Sequence, residues 1–224
     1  MSKINLVDLN GQHEKIRGEL DEAVRAVMDS GQFINGPQIK EFEDDLARYL
    51  NINHAIGCAN GTDALQLALM ALELPDDAEV IVPDFTFVAT AEVVKLMGLK
   101  PVLVDIDPDT FVIDPAAVEN AITANTKAII PVHLFGQCAP MDELLAIARK
   151  HRLYVIEDVA QAMGADYKTT HGWQKAGTLG DIGCTSFFPV KNLGCMGDGG
   201  AVFTADQALA DKLRVIKQHG MASQ

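Results

Sequence analysis

Basic residues are scarce in this sequence. Eighteen lysines and arginines face 31 aspartates and glutamates, a formal net charge of −13. Affinity for nucleic acid comes largely from Lys and Arg on phosphates. The shortfall, without any basic cluster, argues against a nucleic-acid partner and against an anionic membrane. An anionic ligand must instead be held by local donors such as helix N-termini. Cysteine is sparse too: Cys58, Cys138, Cys184 and Cys195 lie far apart, with no CxxC pair and no close histidine. They read as reduced thiols of a cytoplasmic protein, not as staples or metal ligands. No apolar run approaches membrane-spanning length. The first twenty residues lack the apolar stretch of a secretory leader, so none is expected. There is no internal repeat. Neither GxGxxG nor GxxxxGK[ST] occurs, so dinucleotide and P-loop readings lack their fingerprint.

What is present is a soluble globular composition, 48% hydrophobic and 22% charged over 224 residues, enough for a sizeable core. Ile16, Leu20, Val24, Val27 and Met28 recur at helical spacing and predict a helix over 11–30. Gly31, Gly36 and Pro37 punctuate, and a second amphipathic helix is expected over about 38–50. Residues 1–53 thus read as an N-terminal helical arm, and 54–224 as the main body. From His54, short apolar runs alternate with helical segments: 55–60, 79–85, 100–107, 127–135 and 153–158 as strands, with helices between them. Such alternation means an α/β fold with a mostly parallel sheet covered on both faces. Two further strands, 181–188 and 199–205, flank a glycine-rich loop, and a helix follows over 206–220. Ligands of such sheets bind beyond the carboxyl ends of the strands. That rule selects 60–63, 83–87, 105–107, 133–137 and 158–161.

The loop between the last two strands carries Lys191 in otherwise uncharged sequence, after Phe187, Phe188, Pro189 and Val190 and before Gly194, Gly197, Gly199 and Gly200. An amine among apolar neighbours is a candidate nucleophile. An ordinary loop lysine reaching water explains this stretch equally well. Asp158 ends an apolar strand and can bind a ribose, a metal or a protonated ring nitrogen, or simply cap a helix. Asn60, Gly61 and Thr62 open a helix as a small phosphate cradle or as a plain cap. Ser186 is a second hydroxyl for the same phosphate. Phe85 and Phe87 are candidate stacking faces, where core packing is the commoner use of an aromatic. Together, a lysine, a carboxylate, an anion cradle and an aromatic face are what pyridoxal 5'-phosphate requires.

These motifs resemble the DegT/DnrJ/EryC1/StrS aminotransferases, the sugar aminotransferases among fold-type I pyridoxal-phosphate enzymes. The matches run in order through NGP (35–37), NGTDAL (60–65), PDFTFVATA (83–91), VDID (104–107), HLFGQ (133–137), EDVAQAMGA (157–165), SFFPVKNLGCMGDGGA (186–201) and HG (219–220). The resemblance implies that Lys191 joins the cofactor aldehyde and later moves the substrate proton. It implies that Asp158 pairs with the pyridine nitrogen and Gln161 touches the phenolic oxygen. Thr62, Ser186 and the backbone at Asn60–Gly61 would hold the phosphate, and Phe87 would stack on the ring. The implied reaction is ping-pong transamination, with glutamate the expected donor and a keto group on a nucleotide-linked sugar the acceptor. The nearest resemblance is to enzymes acting on UDP-linked 2-acetamido-3-ketoglucuronate. A related dehydratase branch carries histidine in place of the lysine, and a non-catalytic regulator would need neither Lys191 nor Asp158. The family works as homodimers and continues past the position of Gln224 into a smaller C-terminal domain. The resemblance therefore implies a large domain lacking that partner, with little transaminase activity by itself.

Overall fold

The computed structural model describes residues 7–170 and 172–221. The outer ends of the two expected units, 1–6 and 222–224, lie outside that range. A seven-stranded sheet has the order β1-β9-β8-β5-β4-β2-β3. Its strands are β1 (His54–Cys58), β2 (Glu79–Pro83), β3 (Lys100–Val104), β4 (Thr126–Ile129), β5 (Tyr154–Asp158), β8 (Ile182–Ser186) and β9 (Gly200–Thr204). The pairings β3–β2–β4–β5–β8 are all parallel. β9 is antiparallel to both β8 and β1. Six strands therefore run one way, and their carboxyl ends share one edge.

Strand alternation sorts the core into two faces. Val80, Val82, Ala128, Ile130, Ile156 and Val202 pack under α4 (Gly61–Leu72), α5 (Ala89–Leu96) and α8 (Gln207–Lys217). Ile81, Ile129 and Val155 face α6 (Pro115–Ala121) and α7 (Met141–His151). Near β1 and β9, Ala55, Ala201 and Phe203 meet Leu46 and Leu50 of α3 (Pro37–Leu50).

Two expectations are corrected and one element is added. The helix expected over 11–30 is two, α1 (Leu9–Glu14) and α2 (Arg17–Ser30), because Ile16 leaves helical geometry at φ −122° and ψ 15°. α2 buries none of its residues, so its apolar stripe stays uncovered. An antiparallel hairpin, β6 (Asp166–Thr169) with β7 (Gly172–Lys175), stands apart from the main sheet. Its residues are polar and largely exposed, so no buried alternation announced it. The strand expected over 127–135 stops at Ile129 and ends in a 3₁₀ turn at Leu134–Gly136. The punctuation at the arm is as expected: Gly31 caps α2 at φ 66°, and Pro37 is the first residue of α3.

The amino end of the sheet is fastened by one buried carboxylate. Glu79 accepts from Lys100 Nζ at 2.7 Å, Thr123 Oγ1 at 2.5 Å and Thr126 Oγ1 at 3.3 Å. The Lys100 contact first, then the hydroxyls, hold its carboxyl below the ordinary 4.5. A lowered folded-state value gives stability that is complete above that pH and lost as acid passes below it. Glu79→Ala is expected to cost about 1–3 kcal/mol in urea unfolding at pH 7, since two hydroxyls lose their acceptor. The variant should also lose stability less steeply than the parent below pH 4.5.

Candidate active site

The expected residues stand at the carboxyl ends of strands on one sheet edge, where β5 and β8 run side by side. Gly61, first residue of α4, lies against Ser186 at the end of β8: a Cβ on Gly61 would sit 2.6 Å from the Ser186 Cβ. Gly200, first residue of β9, is squeezed between the ends of β1 and β8, and a Cβ there would lie 2.4 Å from the Asn60 carbonyl oxygen. Only glycine fits either place. Asn60 caps α4, its side chain accepting from Asp63 N at 2.8 Å. The Thr62 hydroxyl has no hydrogen-bond partner among the described residues. Ser186 Oγ accepts from Phe188 N at 3.2 Å and keeps its own hydrogen to give. A helix N-terminus with two such hydroxyls is a site for a small anion.

Asp158 closes β5 as a buried side chain. It accepts from Ala160 N at 3.0 Å and from Thr90 Oγ1 at 3.2 Å. Burial pushes its carboxyl up. The Ala160 amide, Thr90 and the nearby His133 and Lys191 pull the other way. A carboxylate in such a setting, with a lysine at hand, suits a protonated ring nitrogen. Gln161 Oε1 accepts from Phe135 N at 2.8 Å, which leaves its amide hydrogens to donate. Phe135 holds a left-handed conformation (φ 55°) to make that contact.

Lys191 sits in a turn closed by its own N–H on the Phe188 carbonyl at 2.8 Å. Asn192 Nδ2 donates to the Met163 carbonyl and so ties this turn to the segment after Asp158 and Gln161. The amine makes no side-chain bond among the described residues. The apolar run before Lys191 does not enclose it. Phe187 alone is buried, while Phe188 and Val190 are about half exposed. Lys191 as a residue is half-buried, its turn is tethered by Asn192, and its charge is felt at Asp158.

Phe87 is 68% exposed and so is not core packing. It stands one turn before Thr90, whose hydroxyl meets Asp158. Phe87 precedes α5, and its carbonyl accepts from Thr90 N at 3.2 Å, so its ring stands exposed at the start of the segment that carries Thr90. Phe85 contacts Phe111 and Phe135, with ring centroids 5.9 and 6.5 Å apart. The strand end at 105–107 contributes no side chain to the site contacts: Asp107 accepts from Asp109 N, Thr110 N and Thr110 Oγ1 in a local turn.

Thr90, His133, Glu157 and Asn192 join the site without having been singled out as site residues. A glutamate inside the apolar run VIED was the available signal, because a buried charge must be paired. Thr90 and Asn192 gave none. A cavity of about 970 Å³ is elsewhere. It lies between α3, α4 and α8, lined by Phe33, Ile34, Phe42, Leu67, Met70 and Ile216, and reaches Phe187, Gly199 and Gly200 beside the candidate site. Among the described residues no cluster of His, Cys, Asp and Glu could hold a metal, and no helix is long and apolar enough to cross a membrane.

The profile of the DegT/DnrJ/EryC1/StrS aminotransferase family matches residues 14–224. The UDP-2-acetamido-2-deoxy-3-oxo-D-glucuronate aminotransferase of Pseudomonas aeruginosa is 51% identical over 97% of this chain and 59% of that protein. Among solved structures, S. venezuelae DesV in complex with a ketimine intermediate has a TM-score of 0.95 at 42% identity, covering 100% of this chain and 59% of that one. NtdA from Bacillus subtilis with bound cofactor PMP has a TM-score of 0.86 at 37% identity, covering 99% and 49%. The chain spans between half and three fifths of the length of these proteins.

Proposed function

Because the chain belongs to the DegT/DnrJ/EryC1/StrS aminotransferase family, we propose that it is the cofactor-binding large domain of a sugar aminotransferase. Such an enzyme moves an amino group from glutamate to the keto group of a nucleotide-linked sugar. The observation that carries the reading is the meeting of a half-buried, unbonded lysine with a buried carboxylate, beside a hydroxyl-lined helix N-terminus with no room for a Cβ. These residues fit pyridoxal phosphate, which when bound supplies an aldehyde and an electron-accepting ring.

Each side chain then has a task set by its own chemistry. Gly61 N–H, Thr62, Ser186 and the α4 terminus capped by Asn60 bind the phosphate. Asp158 holds a proton on the ring nitrogen. Gln161 donates to the phenolic oxygen. Phe87 covers one ring face and excludes water from it. Lys191 would supply the amine that takes up the aldehyde with loss of water and, whenever free, would hold and pass on a proton at Nζ. Lys191 also weighs against the dehydratase reading.

The acceptor proposed is a UDP-linked 2-acetamido-3-keto sugar, the class named for the Pseudomonas relative. We place the protein in the cytoplasm as a homodimer, with 1–53 as an arm and 54–224 as the large domain. The test is optical. Apo chain mixed with pyridoxal phosphate should gain a visible band, and in the full-length protein glutamate should bleach that band and a UDP-linked 3-keto sugar restore it. A protein that stays colourless at millimolar cofactor would refute the cofactor reading. Restoration by dTDP- but not UDP-linked sugars would refute the proposed acceptor.

A further inference from the structure

Glu157 is a fully buried carboxylate with no Lys or Arg partner among the described residues. Its Oε2 accepts from His133 Nε2 and Gly177 N, each at 2.9 Å. Its Oε1 accepts from Leu179 N at 2.7 Å and Gly180 N at 2.6 Å. His133 is equally buried, and its Nδ1 accepts from Ala139 N at 3.0 Å. That contact leaves the ring hydrogen on Nε2, aimed at Glu157. The His133 N–H in turn donates to the Asp158 carbonyl at 2.9 Å. Three of the four donors therefore join the end of β5 to residues 177–180, the turn that feeds β8, and the fourth, His133, joins it to the segment after β4. The turn is threaded tightly: a Cβ on Gly183 would lie 2.1 Å from the Gly177 carbonyl oxygen. β8 then runs beside β5, with Asp158 opposite Cys184, and ends at Ser186.

We propose that Glu157 and His133 are the positioning pair of this site, fixing the distance between Asp158 on β5 and the anion cradle at the end of β8. The inference rests on the cofactor reading above, because only a ligand that touches both ends senses that distance. The cradle itself moves as a unit, since Cys184 Sγ donates to the Ala64 carbonyl of α4 at 3.4 Å and Gly61 abuts Ser186. A neutral isostere cannot replace Glu157. In either orientation the amide of Glu157→Gln turns its NH₂ onto two N–H donors. A change of His133 tautomer would relieve one clash and set Nδ1–H against the Ala139 N–H.

The experiment compares two probes on apo protein, pyridoxal phosphate and inorganic phosphate, by titration calorimetry and by amide NMR. Glu157→Gln is expected to weaken pyridoxal phosphate at least tenfold, leave inorganic phosphate within twofold, and speed hydrogen exchange at Leu179 and Gly180 at least tenfold. In the parent, imidazole ¹⁵N shifts should place the His133 hydrogen on Nε2. His133→Gln, which can still donate to Glu157, should keep pyridoxal phosphate affinity closer to the parent than His133→Leu does, and it carries the test if Glu157→Gln does not fold. Equal weakening of both probes, or unchanged cofactor affinity despite faster exchange, would overturn the positioning role. A parent that binds inorganic phosphate but no pyridoxal phosphate would overturn the cofactor reading instead, and with it this inference.

Discussion

Replacing Lys191 by Ala is expected to abolish covalent capture of pyridoxal phosphate and to leave the fold intact. Borohydride treatment of the parent chain with the cofactor should leave a pyridoxyl group on the peptide holding Lys191, read by mass spectrometry. The variant should carry none there. The contrast at that peptide is all or none, because Lys191 is the one lysine between Cys184 and Gly200. Stability should change by no more than about 0.5 kcal/mol: the side chain is half-buried and makes no side-chain bond among the described residues. Its charge does favour the ionised form of Asp158, so binding of the free cofactor should also weaken. Equal labelling of the variant, or labelling of the parent only at surface lysines such as Lys40 or Lys127, would remove Lys191 from its assigned role.

Asp158→Asn should separate stability from function. In the apo protein the carboxyl lies above its ordinary 3.8, chiefly through burial. A raised folded-state value gives stability that is complete below pH 3.8 and is lost as pH rises through the folded value. Asparagine carries no such charge, and it fits the bonds available. Its oxygen can accept from the Ala160 N–H. Its NH₂ can donate to Thr90 Oγ1, whose own hydrogen turns to Thr86 Oγ1 at 3.2 Å. The apo variant is expected to melt about 2–4 °C above the parent at pH 8, with the gap closing towards pH 4. Cofactor affinity should fall at least tenfold, because a charge-assisted hydrogen bond worth about 1.5–3 kcal/mol is lost. A variant that melts lower than the parent at pH 8 would show that Asp158 is held by interactions stronger than its desolvation. Unchanged affinity would deny it the ring nitrogen.

The residues proposed for the chemistry are legible because each leaves a local mark. Lys191 stands in uncharged, glycine-rich sequence. Asp158 ends an apolar strand. Gly61 and Thr62 open a helix after a strand. The alternation of strands and helices was likewise visible as apolar runs, since strands buried on both faces have little polar content. What hid was non-local. Thr90 reaches Asp158 across 68 positions, and Glu157 gathers donors 20 to 24 positions away on either side. The β6–β7 hairpin buries little and so leaves no pattern. The apolar run before Lys191 suggested a desolvated amine, but hydrophobicity along a chain does not say which side chains fold inward.

By itself, the sequence determined the class of fold, the order of its parts and the chemical types that meet at the strand ends, because periodicity and turn residues act over a few positions. Only the tertiary structure decided how those ends are spaced. Gly61 and Gly200 let two strands and a helix close on one another without a Cβ between them. Glu157, four hydrogen bonds deep in the sheet, ties the strand that ends in the acid to the turn that leads to the cradle. Such spacing depends on contacts between distant segments, and those exist only once the sheet has formed.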